Sequence, residues 1–242
     1  MSRQARAVKL SQRLNTRLRA VAAAVSSGIV TSGLVMHLDA GNAASYPGSG
    51  TAWTDLTVNG NNGTLTNGPT YSAADGGQIV FDGVNDYIIG TNNASVQITE
   101  GTIACWVRCQ TEPNYVGLIS KNNAWALVAN NDVLGCYDWG NAVFRSTGLN
   151  IADNAWRYIS MTFTNTVGTP SNNAIIYVNG SAVLTTTTKH VNQATEFGLA
   201  VAQAVSGENL RGGIAIGHIY NRVLSAAEIQ QNFDANKARF GL

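Results

Sequence analysis

The chain has 242 residues with 15 basic and 14 acidic side chains, which gives a formal net charge of +1. Only 12% of its residues are charged, and glycine, asparagine and threonine are abundant. No apolar run approaches the ~18 residues that a membrane-spanning helix requires, so the composition argues against an integral membrane protein. Residues 33–242 are sufficient for one β domain with a substantial core.

The near-neutral total conceals two oppositely charged segments. The first 25 residues contain six bases and no acid, namely Arg3, Arg6, Lys9, Arg13, Arg17 and Arg19. The remainder therefore holds nine bases and fourteen acids. An arm with a formal net charge of +6 thus precedes a body with a formal net charge of −5. Such an asymmetry between segments indicates a surface for a partner.

The spacing of residues in the arm predicts an amphipathic helix. An apolar stripe at intervals of three and four includes Leu10, Leu14, Leu18 and Val21. A basic stripe follows the same period about 100° around the helix and comprises Arg6, Lys9, Arg13 and Arg17. We therefore predict an arm over residues 1–32 and a β domain over residues 33–242.

Four interpretations of the arm remain open. It could pack on its own domain, dock on another protein, act as a cleaved targeting peptide, or bind a nucleic acid or membrane surface. A lone helix of ~20 residues is marginal in water and needs something to pack on. We favour docking on another protein, with its bases meeting acids there, and we expect neither a nucleic-acid nor a membrane partner.

Short strands separated by turns fill the body. The region from Asp39 to Asp75 reads as a long turn-rich segment anchored by Tyr46, Trp53 and Tyr71. Alternation predicts that Cys105 and Trp106 face opposite sides of one strand. The predicted strands are Gly33–Leu38, Gln78–Phe81, Tyr87–Ile89, Thr102–Gln110, Val116–Ser120, Trp125–Val128, Val133–Tyr137, Trp156–Phe163, Ala174–Val178, Ala182–Thr188, Phe197–Val201 and Gly213–Tyr220.

One helix is predicted in the body. Ser225 and Glu228 have the spacing of a capping box, and Leu224 and Ile229 are placed to form a hydrophobic staple across it. Many strands with a single late helix predict an all-β, antiparallel two-sheet jelly-roll sandwich. The N-terminal amphipathic arm and this short C-terminal helix complete the predicted fold.

The cysteines do not suggest a disulfide framework. Cys105 and Cys109 lie four residues apart on one strand face, about 13 Å from each other, which is beyond the reach of a disulfide. Cys136 could pair with only one of them. We expect three buried free thiols, as in a protein assembled in a reducing cytoplasm.

Seven sequence segments carry a resemblance to a known family. They are Gly33–Ala40, Trp53–Leu56 with Asn59–Leu65, Phe81–Ile88, Thr102–Val107, Trp156–Ile159, Ile176–Gly180 and Ile219–Ile229. In content and order they resemble laminin-G-like, concanavalin A-like lectin/glucanase jelly rolls, of the kind found in tailed-phage structural proteins. The resemblance implies two antiparallel sheets, and we expect Trp106, Trp156 and Tyr177 to fill the space between them.

The sequence offers no clear catalytic or metal-binding constellation. Glucanases of this fold use two carboxylates on one strand face, and no strand here carries that pattern. We therefore expect a non-enzymatic protein without a metal or cofactor. Calcium is an open alternative, because some relatives bind it in turns that correspond to those of Asp39, Asn62, Asp82 and Asp86.

Exposed aromatic side chains are candidates for binding a glycan. Trp125, Tyr137 and Trp139 lie on neighbouring strands or turns and could offer rings to a sugar, and the alternative is that Trp125 and Tyr137 belong to the hydrophobic core.

The resemblance and the arm together predict a virion structural protein that is assembled in the host cytoplasm. We expect a capsid decoration protein in multiple copies, docked on the major capsid or another virion protein and displaying a lectin-like jelly roll to a cell-surface glycan. The alternative is a secreted carbohydrate-binding module whose arm is a cleaved leader. A glycoside hydrolase with unrecognised catalytic residues is a third possibility.

Overall fold

The computed structural model describes residues 28–111, 114–164, 173–188, 195–202 and 208–242. Sixteen strands lie in these ranges, and one α-helix, α1 (Ala226–Asn236), follows the last of them. The strands are β1 (Leu34–Asp39), β2 (Ala52–Trp53), β3 (Gly63–Thr66), β4 (Thr70–Ser72), β5 (Gln78–Asp82), β6 (Tyr87–Gly90), β7 (Gly101–Cys109), β8 (Tyr115–Lys121), β9 (Trp125–Asn130), β10 (Val133–Asp138), β11 (Val143–Asn150), β12 (Arg157–Phe163), β13 (Ala174–Val178), β14 (Ser181–Thr186), β15 (Phe197–Leu199) and β16 (Arg211–Tyr220).

The strands form two antiparallel sheets of eight strands each. Sheet A has the order β14-β13-β12-β7-β16-β5-β4, and β1 also pairs with β16. Sheet B has the order β11-β10-β9-β8-β15-β6-β3-β2. The predicted all-β sandwich with a short C-terminal helix is confirmed, whereas the arm lies outside the described residues apart from its last five.

Strand β7 shows how alternation builds the core. Ile103, Cys105 and Val107 point into the main hydrophobic cluster between the sheets, while Ala104 and Trp106 point to the other face of sheet A. A strand buried on both faces needs apolar residues at successive positions, which this segment supplies. Cys105, Cys109 and Cys136 are all buried, as expected, and Cys105 and Cys136 have free thiols.

The outer face of sheet A has a second, smaller core beneath the C-terminal segment. Trp106 stacks on Phe240 at 4.2 Å between ring centroids and on Phe233 of α1 at 5.7 Å. Trp156 and Tyr177 also belong to this outer cluster. The prediction that Trp106, Trp156 and Tyr177 lie between the sheets is therefore wrong, because strand alternation turns them toward the helix that covers sheet A.

Helix α1 begins at the predicted capping box. The Ser225 hydroxyl accepts a hydrogen bond from the Glu228 backbone N–H, and the Glu228 carboxylate accepts one from the Ser225 N–H at 2.8 Å. Leu224 and Ile229 are both buried in the outer cluster of sheet A. The chain entering the domain joins the same cluster, since buried Val30 donates its N–H to Asn232 and its carbonyl accepts from Tyr220.

A buried histidine pair lies on the same face of sheet A. His218 is fully buried, and its ring lies 4.8 Å from the ring of His37 on the neighbouring strand. Neither nitrogen of His218 has a hydrogen-bond partner among the described residues. Burial, with a smaller contribution from His37, holds the pKa of His218 well below its usual value of 6.5.

This histidine predicts a loss of stability in mild acid. The unfolded chain binds a proton at His218 below pH 6.5 and the folded chain does not, so the free energy of unfolding falls as the pH drops below 6.5. We expect His218 to lower the free energy of unfolding by up to about 1.4 kcal/mol for each pH unit below 6.5. His37 should add a smaller decrease in the same direction. Urea unfolding between pH 8 and pH 5 measures it, and His218→Gln should flatten the profile. An equally steep profile in that variant would contradict the prediction.

Candidate functional site

The outer face of sheet B differs from that of sheet A because α1 does not cover it. Along β9, Trp125 and Leu127 point into the core, whereas Ala126 and Val128 point outward. Aromatic rings from neighbouring strands surround these small residues, and they belong to Tyr115, Tyr137, Trp139 and Phe144. An outward cluster of large rings on a sheet face indicates a surface with a binding role.

Small residues make room for these rings. A Cβ atom at Gly135 would lie 2.4 Å from the Phe144 ring, so glycine permits Phe144 to lie across β10. A Cβ atom at Gly117 would lie 1.9 Å from the Val201 carbonyl, so glycine also lets the segment after β15 approach β8. Ala202 and Glu208 are thereby brought beside the aromatic residues.

The result is an open cleft with an empty volume of about 360 Å³. Its rings stand at steep angles, because Tyr137 and Trp139 are 4.7 Å apart at 65° and Tyr115 and Tyr137 are 6.0 Å apart at 86°. Much of this volume is open to solvent, so the cleft is shallower than the enclosed pockets that take small ligands. The lining residues are Tyr115, Val128, Tyr137, Trp139, Ala202 and Glu208.

Glu208 is the acidic group of this cleft. Partial burial raises the pKa of its carboxyl. Burial also raises the pKa of the Tyr115 phenol, with smaller contributions from Tyr137 and Glu208. The cleft thus presents three aromatic rings, two phenolic hydroxyls and one carboxyl group.

Two of the three aromatic residues predicted to bind a glycan lie in this cleft. Tyr137 and Trp139 are half-buried and line it, so the structure brings them together. Trp125 is fully buried between the sheets and offers no ring to a ligand, so its assignment to the site is corrected. The reason is alternation on β9, which directs Trp125 inward next to outward-facing Ala126.

The sequence did not reveal two other lining residues. Tyr115 precedes the predicted strand Val116–Ser120, and its partnership with Tyr137 depends on the pairing of β8, β9 and β10. Glu208 is isolated in the sequence and reaches the cleft through a bridge between Val201 and Asn209. Tyr115 could have been recognised by extending its strand by one residue, whereas nothing local in the sequence identifies Glu208.

Comparisons with known proteins place the domain in a family. The model of the concanavalin A-like lectin/glucanases superfamily matches residues 81–230, which is more than half of the chain. The chain belongs to this superfamily. The resemblance to laminin-G-like, concanavalin A-like jelly rolls is thus confirmed. A search of curated proteins found no match to this chain.

Several solved structures share the jelly roll. The binding domain of Paraclostridial Mosquitocidal Protein 1 is 19% identical with a TM-score of 0.63, over 83% of this chain and 52% of that chain. Trypanosoma rangeli sialidase with sialic acid is 15% identical with a TM-score of 0.64, over 87% and 34%. Domain 4 of the extracellular arabinanase AbnA from Geobacillus stearothermophilus, with arabinotriose, is 17% identical with a TM-score of 0.61, over 83% and 98%.

These similarities establish the fold of this superfamily member. The chain spans about half the length of the mosquitocidal binding domain and a third of the sialidase. At these identities the shared architecture does not transfer a ligand or an activity.

The turns considered for calcium use their oxygens within the protein. Asp39 pairs with Arg239 at 2.7 Å, and the Asn62 side-chain oxygen accepts the Asp55 N–H at 2.8 Å. Asp82 accepts the Val84 N–H at 2.8 Å, while Asp86 accepts the Asp82 N–H at 3.3 Å. Within the described ranges, no group of three or more His, Cys, Asp or Glu side chains is arranged to hold a metal ion.

The remaining predicted site is the docking arm. Its residues Arg6, Lys9, Leu10, Arg13, Leu14, Arg17, Leu18 and Val21 lie outside the described residues, so their role stays a prediction. In the described part of the chain, no helix is long and apolar enough to cross a membrane.

Proposed function

We propose that this chain is a non-enzymatic glycan-binding module and that the cleft on sheet B is its binding site. The observation that carries the proposal is the group of aromatic side chains, including Tyr115, Tyr137 and Trp139, on a sheet face that α1 leaves open. Aromatic rings present flat apolar area at low entropic cost, and phenols and a carboxylate can bond hydroxyl groups.

Two structural neighbours support this choice of ligand. Domain 4 of the arabinanase was solved in complex with arabinotriose, and the sialidase in complex with sialic acid. The mosquitocidal neighbour is described as a binding domain. A glycan ligand for the present cleft agrees with the arabinotriose complex of the arabinanase domain, 98% of which is matched by this chain.

The cleft predicts a specific loss of binding on truncation of its rings. We expect Trp139→Ala and Tyr137→Ala each to weaken the best glycan found on an array by at least about tenfold, because each removes a wall of the site. Isothermal titration measures this. Tyr87→Ala is a matched control, because strand alternation places Tyr87 on the same face of sheet B, four strands from β10. An equal loss of glycan affinity in all three variants would refute the site. An unchanged affinity in both Trp139→Ala and Tyr137→Ala would also refute it.

We further propose that the module decorates a virion and that its arm docks on the major capsid or another virion protein. The charge contrast between a +6 arm and a −5 body supports a dedicated attachment segment. Many copies on one particle would multiply a weak glycan affinity. The alternative remains a secreted carbohydrate-binding module with a cleaved leader.

Changes to the arm distinguish these two roles. Reversing the charge of Arg6, Arg13 and Arg17 to glutamate should abolish association with particles while the domain keeps its thermal transition. Co-sedimentation with particles measures association, and reversal of Arg211, an exposed base of the body, is the control. Intact mass of the natural protein completes the test, because loss of residues 1 to about 28 would contradict docking and support the leader.

A further inference from the structure

The chemistry of the cleft on sheet B specifies the charge of its ligand. Two pairs of rings, Tyr137 with Trp139 and Tyr115 with Tyr137, pack edge to face at 65° and 86°, so the ring faces beside the cleft point in different directions. The faces of aromatic rings carry partial negative charge and attract cations, most strongly when the cation is shielded from water. Ring faces that point in different directions suit contact with a compact charged group better than contact with the flat side of a sugar.

Glu208 is held firmly at this site. Its backbone carbonyl accepts hydrogen bonds from the Gly117 N–H at 3.3 Å and the Ala202 N–H at 3.2 Å. These bonds tie the residue to β8 and to the segment that follows β15. The backbone of Glu208 is thus fixed, and the residue lines the cleft together with Tyr115, Tyr137 and Trp139.

No internal cation neutralises this carboxylate in the described part of the chain. Its five ion pairs involve other acids, namely Asp39, Asp138, Asp153, Glu228 and Asp234. Arg145, the base nearest in sequence to the cleft aromatics, pairs with fully buried Asp138 at 2.9 Å. A partly buried carboxylate without a counter-charge is costly, and a ligand that carries the missing charge would recover that cost.

The hydrogen-bonding groups of the lining point to the same ligand. The side chains of the cleft include no amide and no base, and their accessible polar groups are the carboxylate and the phenols of Tyr115 and Tyr137. The hydroxyl groups of a neutral sugar can donate to the carboxylate and the phenols, but they bring no positive charge to the carboxylate. An ammonium group offers donors only, and both the carboxylate and the ring faces attract it.

We infer that the cleft binds a glycan whose sugar bears a free, positively charged amino group, held against the rings of Tyr115, Tyr137 and Trp139 and paired with Glu208. The inference rests on the proposed glycan-binding function and assigns that function a ligand class. N-acetylation removes the charge of the amino group and adds bulk, so the site should discriminate between an amino sugar and its acetylated form.

The test compares matched ligands on the full chain. Isothermal titration at pH 6.5 would use oligosaccharides of glucosamine, of N-acetylglucosamine and of glucose, equal in length, together with tetramethylammonium chloride as a cation without a sugar. We expect the glucosamine oligosaccharide to bind at least tenfold more tightly than the other two. Glu208→Gln should remove this preference, while Asp82→Asn, at an exposed carboxylate outside the cleft, should retain it.

Each outcome bears on a separate claim. Tighter binding of the acetylated or neutral oligosaccharide would overturn the inferred charge of the ligand and leave glycan binding in place. If tetramethylammonium binds and none of the three oligosaccharides does, both glycan binding and the inference that rests on it are overturned. The same holds if none of the four compounds binds. Near-ultraviolet circular dichroism of Glu208→Gln confirms that the fold is retained, since the substitution preserves the size of the side chain.

Discussion

Replacing Trp125 with alanine is expected to lower the free energy of unfolding by about 3–5 kcal/mol. The side chain is fully buried in the main core between the sheets, so truncation leaves a large cavity. Rigid strands on both sides limit how far the core can collapse into that space. Urea unfolding at pH 7 measures the loss, and Trp125→Phe should recover part of it.

The matched variant is Trp139→Ala on the open face of sheet B. Because Trp139 is half-buried, its loss should cost less stability than that of Trp125, while it removes a wall of the cleft. Comparison of the two variants therefore distinguishes a loss of core packing at Trp125 from a loss of glycan contact at Trp139. If Trp125→Ala lost little stability and also lost glycan binding, the position of Trp125 in the core would be contradicted.

Replacing Asp55 with alanine should cost at least about 3 kcal/mol, because four hydrogen bonds converge on its carboxylate. One oxygen accepts from the His37 N–H at 2.8 Å and the Thr57 N–H at 3.0 Å. The other accepts from the Thr57 hydroxyl at 2.7 Å and the Asn61 N–H at 2.9 Å. Asp55 is only 6% exposed, so water cannot fully replace these bonds.

The control for Asp55 is an exposed aspartate with one local bond. Asp82→Ala removes the bond to the Val84 N–H and should cost well under half as much. Asp55→Asn should lie between wild type and Asp55→Ala, since an amide retains one acceptor oxygen. Thermal unfolding of all three variants at pH 7 checks this order. Similar losses at Asp55 and Asp82 would contradict the central role of the Asp55 carboxylate.

Local patterns were sufficient to predict much of the sandwich. Strand β7 alternates over nine residues, and this alternation places Cys105 and Trp106 on opposite faces, although it did not show that Trp106 packs outside the sandwich under α1. Helix α1 was found from its capping box, whose two reciprocal hydrogen bonds depend only on Ser225 and Glu228. These features are set by residues within a few positions of one another, so the sequence reveals them.

Features that depend on distant pairing could not be predicted in this way. The region from Asp39 to Asp75 contains the short strands β2, β3 and β4. These segments are strands because they pair with distant partners, as β3 does with β6 and β4 with β5. Strand β11 is largely exposed and shows no clear alternation, so only its pairing with β10 defines it. A short strand at an edge is specified mainly by its neighbour.

The candidate site illustrates the same limit. Tyr137 and Trp139 were recognised from composition and proximity along the chain, whereas Trp125 was assigned to the wrong face of its strand. The sequence alone did not show that α1 covers sheet A and leaves sheet B open. The contribution of Glu208 also depends on how the segment after β15 folds back to β8.

The most direct test of the central claim is a map of the ligand on the protein. Two-dimensional nitrogen–proton spectra of the labelled chain would be recorded during titration with the best glycan from the array. We expect the largest shifts at the backbone amides of Tyr115, Val128, Ala202 and Glu208 and at the indole N–H of Trp139, with little change at Trp106. Shifts concentrated on the face covered by α1, or on the turns near Asp39 and Asp82, would contradict binding in the cleft of sheet B.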